Sequence, residues 1–289
     1  MKKIHISVLM FGITGLFAKF VGTSAFGIVC IRCFWALPFL ALCMAYWKVP
    51  YRINNRKDFA NILLSGVLLA ITWYCFFESI KVSSVSVGLI AYATVTIFTT
   101  FLEPIFFKEK IVKIDILIAI ITFFGAFLVA PDFSLKNANT LGLLLGVLSA
   151  FVTAIVTIQC RSFVSKYPTT QVCFYQFLAA GVVALPFSIK DLVTATPYDW
   201  MMLIILGVVF TGGANTLFIS GLTNVSAQKA NIVLTLEPVY GIILAIFLLH
   251  EIPSLRIVFG GAIILLCALW ATLVSIKIHQ KKALKIERS

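Results

Sequence analysis

Apolar stretches of about twenty residues follow one another along the chain, and short polar loops separate them. A helix rises about 1.5 Å per residue, so a stretch of this length matches the ~30 Å hydrocarbon core of a membrane. The pattern therefore predicts an all-α membrane protein with ten transmembrane helices. We place the spans at 4–21, 27–47, 59–80, 84–107, 112–130, 140–160, 171–189, 200–222, 226–249 and 254–276.

The fourth and ninth spans indicate an internal repeat. One pattern runs from Ser84 to Glu109 and the other from Ser226 to Glu251, an offset of 142 residues at both ends. Each half then holds five spans, and an odd number makes the second half enter the membrane from the opposite side. The sequence predicts two inverted five-helix repeats, an architecture typical of secondary transporters. The expected divisions are 1–137 for the first repeat, 138–289 for the second, and 277–289 for its basic tail.

Composition supports a membrane protein. Hydrophobic residues make up 61% of the chain and charged ones 12%, against about 25% charged in soluble domains. With the N-terminus inside, cytoplasmic segments hold sixteen Lys and Arg and the opposite loops hold four. This asymmetry predicts that both termini are cytoplasmic. The net charge of +12 then reports topology and attraction to anionic membrane lipids, and we expect no nucleic-acid binding.

No motif predicts enzymatic chemistry. The chain lacks the GxxxxGK[ST] loop of P-loop enzymes. Its three histidines are far apart in sequence, and its seven cysteines show no metal-binding spacing. We therefore expect no enzyme activity, no metal and no cofactor. Uphill transport would then use solute exchange or an ion gradient, for which protons are the candidate.

Charged residues inside the spans identify the candidate site, because each costs ~2.5–3.5 kcal/mol at the bilayer centre. Glu237 lies near the midplane and Pro238 follows it, which is typical of a broken helix at a substrate or ion site. The alternative is a structural role, with the carboxyl hydrogen-bonded to another helix. The residues predicted to line the pathway are Glu237, Arg32, Asn215, Gln176, Trp73, Tyr74, Tyr92 and Tyr240.

Two further groups have predicted roles in gating. Glycines and proline loosen a helix, although close helix packing explains glycines equally well. Charges near the membrane surfaces form a gate or, alternatively, anchor the helices at the interface. The predicted hinge residues are Pro238, Gly212 and Gly213, and the predicted charge cluster is Lys19, Glu78, Lys81 and Lys229.

Short motifs within spans 4 and 9 and at their ends resemble those of the EamA-type transporters of the drug/metabolite transporter superfamily. Arg32 and Gln176 also occupy positions typical of these proteins, whereas His250 stands where the family usually has Gly. The motifs are Lys81-Val82-Ser83-Ser84-Val85-Ser86, Ala91-Tyr92-Ala93-Thr94, Lys108-Glu109-Lys110, Asn224-Val225-Ser226-Ala227, Leu236-Glu237-Pro238-Val239 and Leu249-His250-Glu251.

This resemblance implies a carrier in the bacterial inner membrane that exports amino acids, related metabolites or drugs by alternating access. We expect a monomer or homodimer with a small-molecule substrate. One alternative is an importer or exchanger of a larger metabolite such as S-adenosylmethionine or a nucleotide derivative. The surplus of Lys and Arg over Glu at the outer mouth would suit an anionic substrate. A second alternative is a non-transporting scaffold or sensor, which the short loops disfavour.

Overall fold

The structure, a computed structural model, describes residues 2–106, 113–129, 137–164, 166–217 and 236–286. Every regular element in these ranges is a helix, and the ranges contain no β-strand. The helices are α1 (Lys2–Thr14), α2 (Phe17–Phe20), α3 (Ala25–Tyr46), α4 (Arg56–Val82), α5 (Val85–Tyr92), α6 (Val95–Phe106), α7 (Lys113–Val129), α8 (Ala138–Val164), α9 (Thr169–Thr194), α10 (Pro197–Ile205), the π-helix π1 (Leu206–Gly213), α11 (Glu237–Leu249) and α12 (Leu255–Ile286).

Apolar helices occur at each of the ten predicted spans. Those long enough to cross a membrane are Ala25–Tyr46, Arg56–Val82, Ala138–Cys160, Thr169–Thr194 and Pro197–Leu217. The shorter ones are His5–Phe20, Val85–Thr99, Ile116–Ala126, Glu237–Leu249 and Leu255–Trp270. The prediction of an all-helical, multi-pass membrane protein is confirmed for the described residues. Ten crossings in an inverted repeat remain a prediction.

Polar side chains fix where several helices begin. Ser24 caps α3 by accepting a hydrogen bond from the Gly27 N–H at 3.1 Å. Asn55 accepts two N–H groups from the first turn of α4. Thr196 and Asp199 form a reciprocal capping box at the start of α10. Each cap satisfies N–H groups that have no partner within the helix, so the loop sequences set the ends of the spans.

Spans 1, 4 and 8 were each predicted as one uninterrupted helix, and the structure shows a break in the α-helical pattern within each. Between α5 and α6, Thr94 directs its N–H (3.2 Å) and its hydroxyl (2.6 Å) to the Ala91 carbonyl. Between α1 and α2, the Leu16 N–H bonds to the Ile13 carbonyl at 3.0 Å. Both turns use bonds to a residue three positions back, so the α-helical pattern stops there. In span 8 the hydrogen-bonding pattern changes from α-helical in α10 to π-helical in π1.

The helices pack around α3 and α4. α3 contacts α9, α4 contacts both α8 and α9, and α7 contacts α12. α1 crosses α11 where two glycines meet. A Cβ atom on Gly12 would lie 2.9 Å from the Glu237 carbonyl oxygen and 3.0 Å from the Gly241 nitrogen. Small residues therefore bring these two backbones into direct contact beside Glu237.

Candidate functional site

An arginine is buried where α3, α4 and π1 meet. Arg32 is 4% exposed, and its Nε donates a hydrogen bond to the Thr211 hydroxyl at 3.0 Å. Its Cζ lies 4.1 Å from the centroid of the Trp73 ring and 5.3 Å from that of Phe77. Aromatic faces attract a desolvated cation. Among the described side chains no carboxylate lies within 4.0 Å of this guanidinium.

Tyr92 interacts electrostatically with both Arg32 and Glu237. Its ring packs against Phe76, with ring centroids 5.1 Å apart. Glu237 is the first residue of α11 and is partly buried, and Pro238 beside it is fully buried. The structure thus groups Arg32, Trp73, Tyr92 and Glu237 from the predicted pathway in one region.

The π-helix π1 supplies the hydroxyl partner of Arg32. The Thr211 side chain donates to the carbonyl five residues back at 2.8 Å, and the Asn215 amide donates to the Thr211 carbonyl. Gly212 and Gly213, the predicted hinge, form the last turn of π1. Asn215 therefore has a partner in its own helix, and the glycines lie where the helical register changes.

The other predicted pathway residues contact neighbouring helices and have no described contact with Arg32. Gln176 donates to the Ser65 hydroxyl at 2.8 Å and to the Cys160 sulfur at 3.0 Å, which joins α9 to α4 and α8. Tyr74 stacks on Phe26 with ring centroids 4.1 Å apart.

Tyr240 lies one turn after Glu237 on α11. Its Cβ lies 3.3 Å from the position that a Cβ on Gly12 would occupy. Tyr240 therefore lies beside the crossing of α1 and α11. No described contact joins Gln176, Tyr74 or Tyr240 to Arg32.

Three of the four residues of the predicted charge cluster, Lys19, Glu78 and Lys81, lie at one end of the helices. The charge asymmetry of the loops predicts that this end faces outside, and we call it the outer end. Lys19 donates to the Ser83 carbonyl at 3.0 Å and lies 4.0 Å from the Glu251 carboxylate. Glu251 also accepts the Val85 N–H, which starts α5, at 2.9 Å. One lysine and one glutamate thus connect the ends of spans 1, 4 and 9.

Lys81 and Asp199 extend this cluster around the same end. Lys81 donates to the Val21 carbonyl at 3.2 Å and interacts electrostatically with Glu78. Asp199 accepts the Gly22 N–H at 2.8 Å. We call Lys19, Glu78, Lys81, Asp199 and Glu251 the outer cluster. Lys229, the remaining predicted member, lies outside the described residues.

The opposite end, which the same asymmetry predicts to be cytoplasmic and which we call the cytoplasmic end, has a smaller polar cluster. Asp58 at the start of α4 lies 3.3 Å from the Lys166 ammonium and accepts the Tyr167 hydroxyl at 2.9 Å. Gln171 on α9 donates to the Pro50 carbonyl at 2.7 Å. These contacts attach the loop between spans 2 and 3 to spans 6 and 7.

Acidic, histidine and cysteine side chains form no group of three suited to a metal ion in the ranges that the structure describes. All seven cysteines are free thiols.

Comparison with known proteins identifies the family of this chain. The family model described as the EamA-like transporter family matches the chain twice, over residues 3–130 and 140–273. The chain belongs to the EamA-like transporter family. Its role is therefore transport by a membrane-embedded protein, and its substrate is a small molecule.

Relatives of this EamA-like chain are themselves named as transporters. The uncharacterized transporter YxxF of Bacillus subtilis is 27% identical over 252 residues, which cover 84% of this chain and 79% of that protein. The S-adenosylmethionine uptake transporter of Rickettsia bellii is 24% identical over 273 residues, which cover 92% of this chain and 90% of that protein. The pseudopaline exporter CntI of Pseudomonas aeruginosa is 25% identical over 54% of this chain and 55% of its own length. These names differ in substrate and direction.

A solved structure shares the fold of this EamA-like protein. A crystal structure of another protein has a TM-score of 0.64 and covers 94% of this chain and 96% of that one. The two sequences are 16% identical, so the likeness shows the fold alone.

Sequence reasoning missed several partners in this EamA-like transporter. Thr211 directly precedes the predicted hinge glycines but was not itself predicted as a site residue, and Glu251 was used only as the end of a repeat. Asp199 carried a usable signal, because Thr196 three residues before it is typical of a helix start. No sequence signal marked Asp191, although its carboxylate accepts the Ser24 N–H at 2.8 Å. Contacts between distant helices leave no spacing pattern in one sequence.

Proposed function

We propose that this protein is a secondary transporter that exports a small organic solute bearing a carboxylate, such as an amino acid or related metabolite, across the bacterial inner membrane. The observation that carries the proposal is Arg32, a buried cation held by Thr211 and Trp73. Ionisable groups buried within membrane spans mark substrate and ion pathways. The solute crosses chemically unchanged, so the proposal requires no catalytic group.

Arg32 has the chemistry to bind a carboxylate. Its Nε is engaged by a neutral hydroxyl, and the planar fork of a guanidinium suits bidentate pairing with a carboxylate. Trp73 covers one face of the guanidinium, so an anion would approach its edge. A bound carboxylate would supply the counter-charge that the described side chains within 4.0 Å do not.

Glu237 is the proposed proton-coupling group. It is partly buried and interacts with Tyr92, which also interacts with Arg32. Protonation of Glu237 would remove a negative charge that interacts with Tyr92, which also interacts with Arg32. An ionised Glu237 would attract the ammonium group of an amino acid, and protonation would remove that attraction. Proton binding at Glu237 and solute release would then favour each other, as a proton antiporter requires.

Alternating access is the proposed mechanism, with residues 1–137 and 138–289 as the two halves. The contacts α3–α9, α5–α11 and α7–α12 join spans 2 and 7, 4 and 9, and 5 and 10, which are equivalent in an inverted repeat. These contacts and the double family match support the arrangement. We infer that the outer cluster closes the outer end and that both termini are cytoplasmic.

Liposomes containing the protein test this proposal. They are loaded with labelled amino acids, and efflux is followed with and without an inward proton gradient. We expect the gradient to accelerate efflux by the native protein and to have no effect on Glu237→Gln, because the amide cannot exchange protons. Asp191→Asn is the matched control, since Asp191 accepts the Ser24 N–H at 2.8 Å and belongs neither to the proposed site nor to the outer cluster. This variant should keep the acceleration.

The outcomes separate the parts of the proposal. Equal gradient responses in native protein and Glu237→Gln would contradict coupling through Glu237 and leave a structural role. Efflux from Arg32→Gln vesicles with native half-saturation would contradict the carboxylate site. Native vesicles that release no amino acid would exclude this solute class.

Uptake of a larger metabolite is a second candidate, favoured by the S-adenosylmethionine uptake relative that covers 92% of this chain. The cations Lys19 and Lys81 at the outer end would suit an anionic group entering from outside. Labelled S-adenosylmethionine and a nucleotide sugar, each added outside the vesicles, test it. Uptake that Arg32→Gln and Lys19→Gln both weaken would favour this candidate over amino-acid export.

A further inference from the structure

The π-helix in span 8 lies directly against the site. Leu206–Gly213 interrupts α-helical structure, and π-helical turns occur frequently at functional sites. Thr211 within it is fully buried. Its hydroxyl donates to the Leu206 carbonyl at 2.8 Å and accepts from Arg32 Nε at 3.0 Å. The hydroxyl is therefore held in place by a carbonyl of its own helix, and its oxygen in turn holds the Arg32 side chain.

Close packing holds π1 against α3. A Cβ atom on Gly207 would lie 2.7 Å from the Arg32 carbonyl oxygen, and one on Gly212 would lie 2.6 Å from the Phe39 ring. The two glycines lie near the two ends of π1 and on either side of Thr211 in sequence. π1 thus approaches the backbone of Arg32 itself as well as its side chain.

The register decides where the Thr211 hydroxyl points. One extra residue in a turn rotates the side chains that follow by about 100° relative to a continuous α-helix. In an α-helix continued from α10, position 211 would face a different neighbour. The π turn therefore provides the contact between Thr211 and Arg32.

We infer that Thr211 is a positioning residue that sets the orientation of Arg32 for solute binding. The inference rests on the proposed solute-binding role of Arg32. Thr211 occupies the Nε donor and Trp73 holds the guanidinium plane, so the terminal nitrogens keep one orientation for a carboxylate. Thr211 itself does not touch the solute.

A double-mutant cycle in liposomes tests the inference. The probe is the labelled amino acid that the native protein exchanges fastest. We expect Thr211→Val to raise the half-saturation concentration on the order of tenfold with a maximal rate close to native. Thr211→Ser keeps the hydroxyl and should restore native half-saturation. In an Arg32→Gln background Thr211→Val should add no further change, because the residue acts only through Arg32.

Thr216→Val is the matched control. The Thr216 hydroxyl donates to the Gly212 carbonyl at 2.9 Å, within the same span, so its loss should leave half-saturation unchanged. If Thr211→Val does not accumulate in membranes, Thr211→Ala removes the hydroxyl with a smaller side chain and carries the same expectation. An effect of Thr211→Val that persists in the Arg32→Gln background would overturn the inference.

A second readout requires no solute. The fluorescence of Trp73 is obtained by subtracting the spectrum of Trp73→Phe, and it reports the cation over the ring. We expect Thr211→Val to change this component and Thr211→Ser and Thr216→Val to leave it native. An unchanged Trp73 component in Thr211→Val overturns the positioning role. Absence of amino-acid exchange by the native protein contradicts the proposed function instead, so the two failures are distinguishable.

Discussion

The ion pairs at the two ends of the described structure differ in what else their side chains bind. At the outer end, Lys19 and Glu251 bind backbone groups as well as each other, and their side chains are 24% and 23% exposed. At the cytoplasmic end, the ion pair joins Asp58 to Lys166, whose side chain is 57% exposed. Exposed pairs contribute about 0–1 kcal/mol, whereas a bond to a buried backbone group costs more to lose.

This difference teaches which charged residues fix a loop. A lysine that binds a carbonyl and a carboxylate that binds an N–H determine where a neighbouring loop lies. A pair between two side chains only draws two helices together. At the cytoplasmic end a neutral side chain, Gln171, fixes the loop through the Pro50 carbonyl. In the proposed mechanism, separating Lys19 and Glu251 from their partners should cost more than separating the Asp58–Lys166 pair.

The largest expected effect comes from removing an acceptor of the outer cluster. Asp199→Ala leaves the Gly22 N–H without its carboxylate and opens the capping box with Thr196. We expect a loss of about 1–3 kcal/mol in the free energy of unfolding, measured by thermal unfolding in detergent. Asp58→Ala is the matched change at the other end and should lower stability less. Equal losses would contradict the contrast between the ends.

A smaller effect is expected from the lysine of the outer cluster. Lys19→Met keeps the length of the side chain but removes the bond to the Ser83 carbonyl and the charge beside Glu251. Amide hydrogen exchange at Val85, whose N–H binds Glu251, should become faster by about fivefold. Lys190→Met, at an exposed position on α9, is the control and should leave this exchange unchanged.

The smallest effect is expected at the cytoplasmic pair. Lys166→Ala should lower the free energy of unfolding by less than about 1 kcal/mol, and the difference from native should shrink as salt rises. Thermal unfolding at low and high ionic strength measures it. A larger, salt-independent loss would show that the Asp58 contact holds this end as firmly as the outer cluster holds the other.

Hydropathy predicted the positions of the apolar helices, because the length of a span is set by the bilayer. It did not predict the breaks in the helices, because none of the breaks changes the apolar pattern. One arises where the Thr94 hydroxyl binds a backbone carbonyl. Another arises where π1 bonds each residue to the one five positions back. Arg32 and Glu237 could be selected from charge and depth. Thr211 as the partner of Arg32 depends on which helices become neighbours, and 179 positions separate the two residues.

The crossing of Gly12 and Gly241 limits how this protein moves. With no side chain between the two backbones, α1 and α11 resist sliding but can tilt about their point of contact, which acts as a fulcrum. Points at a fulcrum travel little while the helix ends swing. Glu237 lies at that point, so in the proposed cycle its carboxyl would stay at nearly constant depth. Protons would then reach it through water that enters alternately from each side, and the charge itself would not be carried across the membrane.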